Sequence, residues 1–377
     1  MILEQKHSHC HQSMAVLYNR FIHRREMKIA VYTIALNEEQ FVERWYESAK
    51  EADYLLIADT GSTDHTEKIA KKLGINVIDV NVTPWRFDDA RNASLTALPK
   101  DIDICISLDM DEVLVPGWRK KLEGIAETTT RPRYKYTWSW NEDGTPGLEY
   151  GGDKIHRRFG YRWKHPVHEV LTTDRIEEVQ GWTDLEIHHY PDSTKSRGQY
   201  FPLLQVAIEE DPNDDRNAFY YARELFYHGM HDKASDEFRR YLELPKAKWG
   251  PERAAAYRYL AKCNPQIADV YLVAAIREAS DRREAYVELA MWMYENEKWS
   301  GCYNYAVTAL QIKEKPLDYL CEDFAWGALP YDLAAISSWH LKRYPKAIKY
   351  IEQALEIEPN TERFLNNLAF FKSKIVI

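Results

Sequence analysis

Ile102-Asp103-Ile104-Cys105-Ile106-Ser107-Leu108-Asp109-Met110-Asp111-Glu112 decides the reading of the amino-terminal half. The apolar first part has the character of a buried strand, and the acidic last part ends that character abruptly. Two carboxylates with one residue between them at a strand exit can offer oxygens to a hard divalent cation. Such a cation takes few protein carboxylates and leaves its other positions to water and substrate phosphates. Alone, an acid-x-acid pair is common in solvated loops.

Two earlier segments have the same layout. Residues 29–34 predict a buried strand that leads through Ala35-Leu36-Asn37-Glu38-Glu39 into a helix ending near Ala52. Tyr54-Leu55-Leu56-Ile57-Ala58 predicts the next strand and empties into Asp59-Thr60-Gly61-Ser62-Thr63-Asp64. There Gly61 permits a sharp turn, and Thr63 or Asp64 can cap a helix through Glu67 to Leu73. A third strand is expected from Asn76 to Val80. Short apolar strands alternating with amphipathic helices predict an α/β domain with a parallel sheet. Ligands of such sheets sit outside the carboxyl ends of the strands. Glu38, Asp59 and Asp109 all fall at predicted carboxyl ends of strands and are therefore expected in one crevice.

With Asp88-Asp89-Ala90-Arg91-Asn92 added, these clusters, in this order, resemble family 2 glycosyltransferases over residues 28 to about 122. The resemblance implies the GT-A fold, a Rossmann-like mixed sheet, and a nucleotide-diphosphate-sugar donor, UDP-linked. It implies an inverting transfer that uses Mn²⁺ or Mg²⁺. Leu36 and Glu38 would line the nucleotide-sugar site, Asp59 would meet the base, and Arg91 the phosphates. Asp109 would lie at the ribose or the metal, and Asp111 on the metal. These residue types suit the chemistry. Breaking a sugar–phosphate bond leaves a diphosphate with extra negative charge, which a metal, an arginine and fixed donors stabilise. The acceptor must also lose a proton, so a general base is needed.

Trp163-Lys164-His165-Pro166-Val167-His168-Glu169-Val170 is the candidate segment for that base. A similar Val-His-Glu follows an aromatic- and Arg-rich stretch in bacterial lipopolysaccharide-core and peptide glycosyltransferases. By that resemblance His168 would ligate the metal or meet the diphosphate, and Glu169 would be the base, with Glu112 as its rival. His188-His189 are expected at the edge of the site or in a structural role. The donor-sugar pocket is expected among side chains between Tyr134 and Trp163.

At 377 residues the chain is expected to hold two domains, and its 45% hydrophobic content is enough for two cores. A net charge of −9 disfavours non-specific nucleic-acid binding. Five widely spaced cysteines without a C-x-x-C fit reduced thiols and a cytoplasmic enzyme. No run of about 18 apolar residues predicts a membrane span, and Met1 to Glu26 lacks the apolar core of a secretory signal. Residues 1–27, with His7, His9, Cys10 and His11, are expected to be a mobile extension, and residues 28–200 the catalytic domain.

Residues 201–377 follow a different grammar, helical and rich in Ala, Tyr and Leu. Ala234, Ala268 and Cys302 recur every 34 residues, followed at equal offsets by Leu242, Ile276 and Leu310. Ala347 and Leu355 continue the pattern after an insertion that includes Pro316 to Pro330. This resembles tetratricopeptide repeats, an all-α array whose concave surface suits peptides or partner chains. Trp292, Tyr294, Trp299, Tyr303 and Tyr305 are expected mostly in the core. The functional expectation is transfer to a hydroxyl or thiol of a peptide, protein or glycan acceptor, with the repeats capturing the acceptor or forming a homodimer. The alternatives are a non-catalytic nucleotide-binding scaffold and a DNA-modifying glycosyltransferase, which steep salt dependence of binding would indicate.

Overall fold

The computed structural model describes residues 26–192 and 198–375. The expectation for the amino-terminal extension, histidines included, therefore falls almost wholly outside the described residues.

The predicted strands and helices form in order: β1 (Ile29–Ala35), α1 (Val42–Ala49), β2 (Tyr54–Asp59), α2 (Thr66–Lys72), β3 (Asn76–Asp79), α3 (Phe87–Ala97) and β4 (Ile104–Ser107). These strands lie side by side as β3-β2-β1-β4, all parallel, and β8 (Ile155–Arg157) closes the sheet antiparallel to β4. Parallel strands covered on both faces read as unbroken apolar runs, and β1 shows why. Ile29 and Val31 pack with Trp45, Ile57 and Ile104 in one core. Ala30 and Tyr32 pack with Leu56, Cys105 and Trp163 in another.

A second sheet holds β5 (Glu112–Leu114), β11 (Gln180–His189), β6 (Arg131–Thr137) and β7 (Glu149–Gly152), in that spatial order. β11 runs parallel to β6 and antiparallel to β5, β6 and β7 are antiparallel, and the domain is mixed. α4 (Trp118–Glu123) follows β5, and β9 (Arg162–Lys164) pairs antiparallel with β10 (Val170–Thr172) outside both sheets. The indole of Trp45 on α1, fully buried, donates to the Leu108 carbonyl (3.0 Å), one residue before Asp109. Removing a buried indole costs about 3–5 kcal/mol, so α1 fixes the strand exit that carries the acids.

From Tyr200 onward every regular element is helical: α5 (Tyr200–Glu210), α6 (Asp215–Tyr227), α7 (His231–Glu243), α8 (Gly250–Cys263), α9 (Ala268–Glu278), α10 (Arg283–Glu295), α11 (Trp299–Gln311), α12 (Leu329–His340), α13 (Tyr344–Ile357) and α14 (Glu362–Ile375). They stack as helix pairs. Ala234, Cys302 and Ala347 each fall in the first turn of the second helix of a pair, and all are fully buried. Ala268 holds the same place behind a 3-10 turn at Pro265–Ile267. Small residues at these crossings let helix axes approach closely. Among the five aromatics expected in the core, Tyr303 is buried, Tyr294 is exposed, and the other three are partly buried. The insertion between α11 and α12 reaches back to the sheet: Gly151 on edge strand β7 donates to the Leu317 carbonyl (3.2 Å). No helix among the described residues is long and apolar enough to cross a membrane.

Candidate active site

The loops after β1 and β2 are tied together by side-chain-to-backbone hydrogen bonds. Asn37, at a left-handed φ of 55°, accepts from the Thr63 amide (2.8 Å), and its own amide donates to Ser62 Oγ (2.9 Å). Asn tolerates that conformation where most residues do not. The Glu38 amide donates to Thr66 Oγ1 (2.7 Å) and the Glu39 amide to Asp64 Oδ2 (3.1 Å). Asp64, expected as a cap, accepts from the Thr66 amide (2.9 Å) through its other oxygen. Asp59 Oδ1 accepts from the amides of Gly61 (2.8 Å) and Ser62 (2.7 Å), which locks the turn. Its other oxygen, Oδ2, is buried with no hydrogen-bond partner among the described residues. Leu36 stands nearly half exposed at the same rim.

At the end of β4, Asp109 accepts from Arg91 Nη2 (2.7 Å) and Lys154 Nζ (2.5 Å). Burial pushes the Asp109 carboxyl up, but the two cations more than reverse this and hold it well below the usual carboxylate range. Arg91, buried on α3, also pairs with Glu169 and donates to Ser107 Oγ (3.1 Å), and its guanidinium lies over the Trp163 ring. Glu112 is buried and saturated: its oxygens take Lys154 Nζ (2.9 Å), the Tyr136 hydroxyl (2.7 Å) and the Asp109 amide (2.9 Å). A carboxylate with three fixed donors is an anchor for the loop, which weakens its case as the rival base. Burial, only partly offset by Lys154, raises its pKa.

Asp111 is partly exposed, and its Oδ2 faces His189 Nε2 at 3.2 Å. His189 stacks on Trp138 with centroids 4.3 Å apart, and its Nδ1 lies 2.9 Å from the Trp138 carbonyl. That carbonyl can only accept, so Nδ1 carries a proton and Nε2 is the atom that meets Asp111. Burial lowers the His189 pKa, and Asp111 overcomes this to raise it. β-sheet register brings the two together, because His189 pairs with Glu112 across β11 and β5.

His168 lies elsewhere. It has a left-handed φ of 50°, and its ring stacks on Tyr220 of α6 (4.2 Å), where the α/β domain meets the helices. Among the described residues no three His, Cys, Asp or Glu side chains gather at metal-holding spacing, so Asp109, Asp111 and His168 do not form one such group. Lys154 and His189 are the site residues that sequence reasoning passed over as site groups. Lys154 opens the segment already noted for its arginines, and His189 was read as peripheral.

Residues 30–168 match the family described as glycosyl transferase family 2. A Rickettsia bellii (strain RML369-C) protein described as an uncharacterized glycosyltransferase is 32% identical over 108 residues, 28% of this chain. The chain spans about a third (35%) of that relative's length. Among solved structures, glucosyl-3-phosphoglycerate synthase from Mycobacterium tuberculosis, in complex with Mn²⁺, UDP and glucosyl-3-phosphoglycerate, is 28% identical. That match covers 29% of this chain and 44% of the synthase, at a TM-score of 0.25. The TPR protein YrrB, described as having an unusual peptide-binding site, matches 45% of this chain and 81% of its own, at 15% identity and a TM-score of 0.35. Residues 30–168 thus match glycosyl transferase family 2 over a domain of mixed α/β fold, and an array of helix pairs follows it.

Proposed function

We propose that this protein is an inverting glycosyltransferase that moves a sugar from a nucleotide-diphosphate donor, UDP-linked, to an acceptor hydroxyl or thiol, with a divalent metal. The observation that carries the reading is the ion-paired cluster at the exit of β4, where Asp109, Asp111 and Glu169 stand against Arg91, Lys154 and His189. Charged groups concentrated at strand exits are what a reaction that creates diphosphate charge requires.

The donor set suits a cation held by few protein ligands. Asp111 Oδ2 and His189 Nε2, 3.2 Å apart, are near enough that both could meet one cation. Nδ1 of His189, anchored on a backbone carbonyl, is the supporting contact that metal-bound histidines usually have. Asp111 and His189 would hold Mn²⁺ or Mg²⁺, with Asp109 beside them. When bound, that metal supplies charge stabilisation for the departing diphosphate. Asp59, through its unsatisfied Oδ2, would accept a base N–H, and Leu36 and Glu38 would line the same pocket. Arg91 would face the phosphates while keeping Asp109 and Glu169 in place. Glu169 would take the acceptor proton as the new glycosidic bond forms opposite the breaking one.

Peptide, protein or glycan acceptors fit the helix-pair surface, which would capture the acceptor or a second copy of the chain. Calorimetric titration with UDP, GDP and CDP, each with Mn²⁺ and again with EDTA, tests the reading. Metal-dependent binding of one nucleotide is the expected result. Absence of binding by all three would overturn it.

A further inference from the structure

At the junction of the two halves, three residues of α6 form one stripe: Arg216, Tyr220 and Arg223. Their spacing of four and then three residues puts them on one helix face. Both guanidinium groups flank the Tyr220 ring, at 4.9 Å for Arg216 and 4.5 Å for Arg223. Neither arginine has an ion pair among the described residues. Among the described residues Arg216 donates only to the His168 carbonyl (3.4 Å), and the buried Nε of Arg223 has no hydrogen-bond partner there. The carboxylates whose charge Arg216 feels are engaged elsewhere. Glu252 accepts from the Tyr241 and Tyr319 hydroxyls, and Asp153 pairs with Arg131.

Other arginines withdrawn from solvent in this chain, such as the partly buried Arg253 and the buried Arg258, hold carboxylates. A cation–π contact recovers only part of what a guanidinium loses on leaving water. Two such charges on one ring therefore leave an unmet demand for an anion. The stripe also adjoins the reaction centre. His168, whose carbonyl meets Arg216 and whose ring stacks on Tyr220, precedes Glu169, which is paired to Arg91 and through it to Asp109. On the other side, the Tyr150 phenol feels Lys154 and Glu112 as well as Tyr220.

We propose that Arg216 and Arg223 form an oxyanion subsite for a carboxylate or phosphate group of the acceptor. The first helix pair would thereby hold the acceptor against the donor crevice. The proposal rests on the glycosyltransferase reading above. It deepens that reading by giving the acceptor an anionic group in addition to the hydroxyl or thiol that reacts.

Calorimetry on the full chain tests it, with inorganic phosphate and succinate as probes, in the presence and absence of saturating UDP and Mg²⁺. At least one probe is expected to bind with UDP present. The double variant Arg216→Met/Arg223→Met is expected to weaken that binding by about tenfold or more, as loss of charge-assisted, fork-shaped contacts does, with UDP affinity unchanged. Arg223→Lys, which keeps the charge and guards against a folding defect, should retain an intermediate affinity. The preferred probe names the acceptor's anion. Probe binding that is absent, or equal in the wild type and the double variant, overturns the subsite. So does a matching loss of UDP affinity, which would assign the arginines to the donor. Failure of UDP to bind the wild type would instead strike the glycosyltransferase reading, and the probe titration without UDP still reports on the arginines.

Discussion

Asp109 in the crevice and Glu252 in the helical half are both acids that burial pushes toward the neutral form, yet they end on opposite sides of the usual range. Asp109 is met by Arg91 and Lys154, which drive it down past its ordinary value. Glu252 is met chiefly by two phenols, Tyr319 at 2.6 Å and Tyr241 at 3.0 Å, and burial prevails, so it stays raised. The partner decides, not the depth. The same contrast runs through the two halves. In the crevice, charges from several loops converge on a few atoms. Among the helices, Arg253–Glu278 ties the two helices of one pair together and Arg258–Glu288 stitches that pair to the next. One arrangement serves chemistry and the other cohesion.

If that division holds, substitutions should separate activity from stability. The largest effect is expected for Asp111→Asn, which removes a partly exposed carboxylate at the strand exit. Turnover should fall about 100- to 1,000-fold, the usual loss for a group that stabilises developing charge. The thermal midpoint should move by no more than about 2 °C. A midpoint that collapses together with the rate would make Asp111 a structural residue. Next comes Arg258→Met, which leaves Glu288 with Lys262 alone and Glu322 without its partner. Breaking a buried pair costs about 3–5 kcal/mol, read by denaturant unfolding, while UDP affinity should hold. Smaller still is Ala234→Leu at a helix crossing, where overpacking costs about 1–3 kcal/mol. Wild-type stability in that variant would mean that the 34-residue pattern marks no close approach there.

The smallest effects concern pH, and they run in opposite directions. The raised value of Glu252 means that the folded chain binds that proton more tightly than the unfolded chain. Its contribution is therefore full below the unfolded value of about 4.3 and is lost as pH rises through the folded value. The lowered value of Asp109 gives stability that is present above about 3.9 and lost as pH falls through the folded value. The unfolding free energy of wild type should fall relative to that of Glu252→Gln as pH rises. The unfolding free energies of wild type and Asp109→Asn should diverge less as pH falls. Parallel curves for the two variants would erase the contrast.

Much of this was legible in the sequence where a local pattern dictates a local shape. Apolar runs gave the parallel strands, and the acids that follow them sit at the strand exits as expected. The 34-residue spacing of Ala234, Ala268 and Cys302 gave the helix pairs. The residues that were not legible arrive by sheet pairing across long stretches of chain. Lys154 reaches Asp109 because it precedes β8, which runs antiparallel to β4. His189 meets Asp111 because β11 pairs with β5 in one register. A slip by one residue would turn the chain over and present His188 in its place. No local signal chooses between two adjacent histidines. For His168, the order of motifs suggested company with the acidic pair, whereas its ring stacks on Tyr220, a residue of the following half.

The hydrogen bond from Gly151 to Leu317 has a practical consequence for anyone wishing to study the halves apart. β7 is the last strand of its sheet, and an open strand edge is a template for pairing with other chains. The insertion between α11 and α12 lies against that edge and shields it. Cutting the chain after the last strand would uncover it, so a truncated catalytic half should self-associate even if every crevice residue is intact. Sedimentation of the truncated protein over a concentration series would expose that tendency, and the repeats would then count as a chaperone built into the chain.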